Sequence, residues 1–144
     1  MVLNLAVGTL FISVTVLIHT VGLVALTGSI SRLIRWFRLH RHDFGKIVAM
    51  VATVLGIFLL HGVEIWIWAA VFLASGDIAN FQDALYFSTV TFSTLGYGDI
   101  TLSPHWRLLG ALEAINGFIL IGWSIAYLVA ASTRHGPFRP GEHF

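Results

Sequence analysis

Three apolar runs, residues 2–27, 47–74 and 106–131, dominate this chain. Each exceeds the roughly 20 residues a helix needs to cross about 30 Å of hydrocarbon. In lipid every backbone amide and carbonyl must find a partner inside the protein, so long uninterrupted runs of this kind span as helices. A small soluble domain would also need a polar surface, whereas this chain is 57% hydrophobic and only 10% charged. The sequence therefore predicts an all-α membrane protein. With 144 residues, three spans and their connections fill one compact domain. The first run is too long for a cleaved leader and lacks both a basic start and a small-residue exit, so it is read as a span. Cysteine is absent, which removes disulfides and thiolate metal sites from consideration.

The formal net charge is +1, so the positions of the charges carry more information than their sum. Residues 29–46 hold Arg32, Arg35, Arg38, Arg41 and Lys46 against Asp43, and the tail, 132–144, holds Arg134 and Arg139. The connection after the second run has Asp77 and Asn80 but no lysine or arginine, and Arg107 is the one base near that side. Positive residues collect on the cytoplasmic side of membrane proteins, which predicts a multi-pass cell-membrane protein with its amino terminus outside and its carboxyl terminus in the cytoplasm. Trp66, Trp68 and Trp106 then fall toward the outer interface, and Trp123 and Tyr127 toward the inner one. The three-residue spacing of Arg32, Arg35, Arg38 and Arg41 resembles the arginine ladder of voltage-sensing helices. However, no acid precedes Asp43 to serve as a buried counter-charge, so the segment is read as a basic interfacial loop or helix in contact with anionic lipid.

A fourth segment, 81–93, is too short to span and too apolar for an ordinary loop, which suits a helix that enters the membrane and stops. Asn80 can cap its free amides, and Asp83 sits near the positive end of its dipole. It runs directly into Thr94, Leu95, Gly96, Tyr97, Gly98 and Asp99. An ion entering a membrane must exchange its water shell for other oxygens. Backbone carbonyls turned toward one axis supply them, and Gly96 and Gly98 can adopt the backbone angles this requires.

Here the sequence resembles the potassium-channel pore-loop family, whose filter is usually written TVGYG and whose carbonyls replace the hydration shell of K+. The resemblance covers about 47–131: outer helix, pore helix, filter strand and inner helix in order. It implies that K+ binds at Thr94, Leu95, Gly96 and Tyr97, with Gly98 completing the filter and Asp99, Tyr86, Phe87 and Val90 supporting it. Leu95 replaces the usual valine at a position where the backbone meets the ion and the side chain packs. Many family members carry a tryptophan pair where this chain has Tyr86 and Phe87, and glutamate or valine where it has Val90. Val90 supplies no carboxylate, which puts in doubt any filter inactivation that needs a carboxylate contact with Asp99.

One filter motif gives one wall of a pore, so the resemblance implies a homotetramer in which the carboxyl ends of the pore helices favour cations in the cavity. Within that plan the chain divides into an additional first helix (1–28), the basic segment (29–46), a pore domain (47–131) and a short tail (132–144). The first helix could brace the tetramer, fill a lipid-facing groove or join subunits.

Several residues in the spans remain to be placed. Gly117 lies about 16 Å along a helix from Trp106, near mid-membrane, and together with Gly122 serves either as a hinge or as a point of close helix approach. Asn116 faces either a water-filled cavity or another helix. Glu64 and Glu113 are costly inside spans and need partners. His61 and Glu64, three apart on one helix face, can pair locally, and a polar contact between helices is preferred over a proton-sensing or metal role. The chain shows no nucleophile–base pair, cofactor loop or nucleic-acid-binding pattern, so no enzyme, no cofactor and no nucleic-acid partner are expected. The function expected is passive K+ conduction. Its rivals are a non-selective cation channel and a silent or regulatory subunit of a heteromeric channel.

Overall fold

The computed structural model describes residues 1–36 and 43–135. They form four helices: α1 (Val2–Trp36), α2 (Asp43–Ala74), α3 (Phe81–Phe92) and α4 (Arg107–His135), with no strand among the described residues. Three of these, α1, α2 and α4, are long and apolar enough to cross a membrane, and the chain is a multi-pass membrane protein. Their surfaces expose large apolar side chains such as Leu17, Val24, Phe58, Leu59, Phe118 and Ile119, as expected where lipid is the solvent.

The contacts fix the helix directions. Asn4, Gly8, Thr15 and Thr27 of the first helix meet His105, Leu112, Asn116 and Tyr127 in that order, so α1 and α4 run parallel. His19, Gly22 and Leu26 meet Glu64, Leu60 and Gly56, so α2 runs antiparallel to α1. The first helix therefore lies against both α2 and α4 of its own subunit. Its buried residues, Asn4, Gly8, Thr15, His19, Leu23, Ile30 and Ile34, recur at intervals of four and seven, the repeat of one helix face. Hydrogen bonds across this seam are worth only about 0.6 kcal/mol each on average in membranes, so they set register more than they supply binding energy.

The basic stretch does not form a separate element at its start. The first helix continues unbroken through Arg32 and Arg35, and α2 opens at Asp43; Arg38, Arg41 and Arg139 lie outside the described residues.

Between the spans, α3 dips into the bundle. Asn80 caps it as anticipated: its Oδ1 accepts from the Asp83 amide at 2.8 Å while its Nδ2 donates to the Asp83 carboxylate at 2.7 Å. The core gathers where α3 meets α2 and α4, around Trp68, Phe72, Ala84, Phe92, Leu109 and Leu120. The Phe92 carbonyl at the foot of α3 rests on Gly117, about 15 Å along α4 from its first residue. Ser103 donates its amide to Asp77 at 2.7 Å, tying the two connections on that side together.

Candidate functional site

The chain leaves α3 through a specific helix stop. Thr94 donates its amide to the Thr91 carbonyl at 2.9 Å and Leu95 donates to the Val90 carbonyl at 3.0 Å, the paired bonds of a Schellman ending. That ending requires a left-handed residue, and Thr94 takes the role with φ 61°. A β-branched residue resists this region, so the end of α3 holds Thr94 where its own preference would not. Gly96 and Gly98 follow with φ 57° and 76°, making three left-handed residues at alternate positions. This alternation is absent from α-helices and β-strands, and glycine accepts it at the last two positions without a Cβ penalty.

All of 94–99 is exposed in the single subunit, including the large side chains of Leu95 at 55% and Tyr97 at 67%. Behind the segment is a cavity of about 520 Å³ whose lining includes Tyr86, Phe87, Val90, Gly98, Asp99 and Gly110. Phe87 packs edge-on against Phe72, securing that wall to α2.

Asp99 is held by Tyr86 of α3, whose hydroxyl donates to Oδ2 at 2.7 Å. Val90, which has no donor or acceptor in its side chain, is buried behind the segment. The Tyr86 hydrogen bond keeps the Asp99 carboxyl below its ordinary pKa. A depressed carboxyl pKa means that the bond operates at neutral pH and is lost as pH falls through that lowered value. Tyr86→Phe keeps the ring and removes the donor, so the Asp99 titration midpoint should move to higher pH, as read by carboxyl-carbon NMR. An unchanged midpoint would show that the bond does not form in solution.

The other residues singled out in the sequence are dispersed around this core. Asn116 is buried and donates to Thr15 Oγ1 at 2.9 Å, so it makes the interhelical bond and is turned away from any open face. Gly117 packs against the end of α3, whereas a Cβ on Gly122 would meet nothing within 4 Å. Glu113 is buried and accepts from Ser88, linking α4 to α3, and Ser88 also contacts the Ile65 carbonyl at 2.9 Å. His61 Nδ1 does pair with Glu64, at 2.8 Å. Sequence reasoning missed that His19 joins the same carboxylate from α1 at 2.9 Å and that Ser124 of α4 meets His61 Nε2 at 3.0 Å. The available signal was a histidine inside an apolar run, four residues from Thr15 and Leu23 on one face.

Comparison with known proteins agrees with this architecture. The family model described as "Ion channel" matches residues 60–134. The inward rectifier potassium channel Kirbac3.1 of Paramagnetospirillum magnetotacticum is 29% identical over 108 residues, covering 69% of this chain and 36% of that protein. The human potassium voltage-gated channel subfamily KQT member 4 is 35% identical over 81 residues, covering 56% of this chain and 11% of that protein. The uncharacterized membrane protein YdjJ of Bacillus subtilis is 28% identical over 106 residues, 61% of this chain and 30% of that protein. The chain thus spans little more than a third of the length of these relatives, or less. No solved structure matches it at a significant level.

Proposed function

This chain belongs to the potassium-channel pore-loop family, and on that premise we propose that it is the subunit of a homotetrameric, potassium-selective channel. Membership points to a channel and not to an enzyme. The observation that carries the selective reading is the left-handed backbone at Thr94, Gly96 and Gly98, which alternate with the exposed Leu95 and Tyr97. Alternating backbone handedness lets successive carbonyls of Thr94, Leu95, Gly96 and Tyr97 face one axis, the arrangement that replaces a K+ hydration shell.

A single subunit offers one such wall and leaves Leu95 and Tyr97 uncovered. In a closed ring these side chains turn away from the axis, and the Tyr97 ring of one copy docks against the pore helix of the next, near Tyr86 and Phe87. The carboxyl end of α3 points toward the shared cavity, and its partial negative charge favours a dehydrating cation. Ions move passively, with several sites occupied and mutual repulsion driving exit. K+ is the ligand of the filter, and no cofactor or nucleic acid enters the scheme.

Arg32 and Arg35 near the end of α1, Lys46 near the start of α2 and Arg134 near the end of α4 share one end of the bundle. By the positive-inside rule that end is cytoplasmic, the amino terminus is outside, and anionic lipid meets the basic end.

Purified protein in liposomes, assayed for K+ and Na+ flux, tests this reading. K+ flux with Na+ excluded is the expected result. Equal permeation of the two ions would favour a non-selective pore, and an intact homotetramer that conducts neither would favour a silent subunit.

A further inference from the structure

We propose that His19, His61 and Glu64 form a binding site for a divalent transition-metal ion of the zinc class. The site is built within one subunit. Glu64 is fully buried, and its two oxygens divide between the imidazoles: Oε1 lies 2.9 Å from His19 Nδ1 and Oε2 lies 2.8 Å from His61 Nδ1. The three ligand atoms lie within 4.8 Å of one another. A tetrahedral zinc ion bonded at 2.0–2.1 Å spaces its ligands about 3.3 Å apart, so the widest gap closes by roughly 1.5 Å, a distance side-chain rotation covers. Two imidazoles and one carboxylate leave a fourth position for water, as in zinc sites that are not closed by a fourth side chain.

The surroundings fit the same ion. With metal on Nδ1, His61 carries its proton on Nε2, and Ser124 Oγ stands 3.0 Å away to accept it. An outer partner of this kind fixes the ring's orientation at metal sites. The His19 ring packs against the Trp123 ring, with centroids 5.4 Å apart, and the His61 ring against that of Phe92 at 5.7 Å, which keeps the site dry on those sides. His61 opens at 15% exposure onto a cavity of about 480 Å³ whose lining includes Thr89, Ser93 and Ser124, giving an ion a route in.

Charge balance points the same way. A fully buried carboxylate held between two imidazoles is an expensive charge deep in an apolar bundle. A divalent cation removes that charge and binds the unprotonated imidazoles and the carboxylate directly. The bound ion clasps α1 to α2 and, through Ser124, reaches α4. Because Phe92 is the last residue of the pore helix, it does so at the foot of the filter. If the chain conducts as proposed above, the clasp ties the inner helix to the outer bundle and zinc alters channel opening.

The test reads binding alone and so is independent of conduction. Metal-stripped protein in detergent is titrated with zinc chloride by calorimetry and with cobalt chloride by visible absorption. We expect one ion per subunit and the intense cobalt bands of a four-coordinate nitrogen–oxygen site. His19→Ala and Glu64→Gln should each weaken binding more than about 100-fold, and Ser124→Ala, which leaves all three ligands in place, by about 10–100-fold. His105→Ala, outside the cluster, should bind as the native chain does. Should a ligand variant fail to fold, the native and Ser124→Ala proteins still decide the matter, since zinc should raise the melting temperature of the first more than that of the second. Absence of saturable zinc binding, or binding that survives Glu64→Gln in folded protein, overturns the site.

Discussion

Gly96→Ala should abolish K+ flux from reconstituted protein while leaving a folded oligomer. Gly96 has φ 57°, and a Cβ placed there would meet nothing within 4 Å in the single chain, so the penalty is conformational and not a clash. An alanine held in the left-handed region costs about 1–2 kcal/mol, and the proposed filter carries that cost once per subunit. In the proposed ring of four the conducting backbone is disfavoured by about 4–8 kcal/mol. At about 1.4 kcal/mol per tenfold, the conducting population falls roughly a thousandfold or more. The helices do not share this cost, because α3 ends before the substitution and α4 begins after it. The measurement is K+ flux in liposomes beside oligomer size in detergent, with Gly28→Ala as the control. Gly28 lies in α1 with open space around its Cβ position and ordinary helical φ, so alanine there should leave flux intact. Native flux from Gly96→Ala would mean that the carbonyls of this segment do not line the ion path.

The sequence revealed some features of this molecule and concealed others, for physical reasons. Spans were legible because lipid selects for long apolar runs, and α3 because a capped apolar segment of 12 residues is too short to cross. Gly96 and Gly98 announced their backbone angles through residue type. Thr94 did not: threonine disfavours positive φ, and only the hydrogen bonds that end α3 impose it. The support of Asp99 was half visible. The absence of a carboxylate at Val90 could be read directly, but the Tyr86 hydroxyl takes over only because α3 and the returning chain are placed to bring those groups within 2.7 Å. The role of the first helix was the least accessible. Its polar face repeats correctly along the sequence, yet pairing His19 with Glu64 depends on the antiparallel register in which Gly22 and Gly56 receive Leu60 and Leu26. Register of that kind arises from packing across distant segments, which local spacing does not encode.

Gly117→Ala should destabilise the assembly, and the sign of that effect separates a packing role from a hinge. On an exposed helix, alanine is better than glycine by about 1 kcal/mol. Here the added methyl would fall on the Phe92 carbonyl, a backbone atom that cannot rotate aside. Relief requires moving the end of α3 away from α4, and with it the Schellman bonds that hold Thr94 and Leu95. Overpacking of a tight contact costs about 1–3 kcal/mol and more where backbone must shift, so the steric loss exceeds the propensity gain. Gly122→Ala has no such neighbour and should be neutral or slightly stabilising. Thermal dissociation of the oligomer in detergent should therefore move in opposite directions for the two variants, and if the chain is selective as proposed, Gly117→Ala should also lose ion selectivity as the base of the proposed filter is displaced. A hinge makes a different demand: Gly117→Ala would keep full stability and selectivity and change only how often the channel opens. That outcome would show that α4 does not rest on the pore helix at Phe92 in the working channel, and the close approach of these two helices would have to be abandoned as the feature that positions the filter.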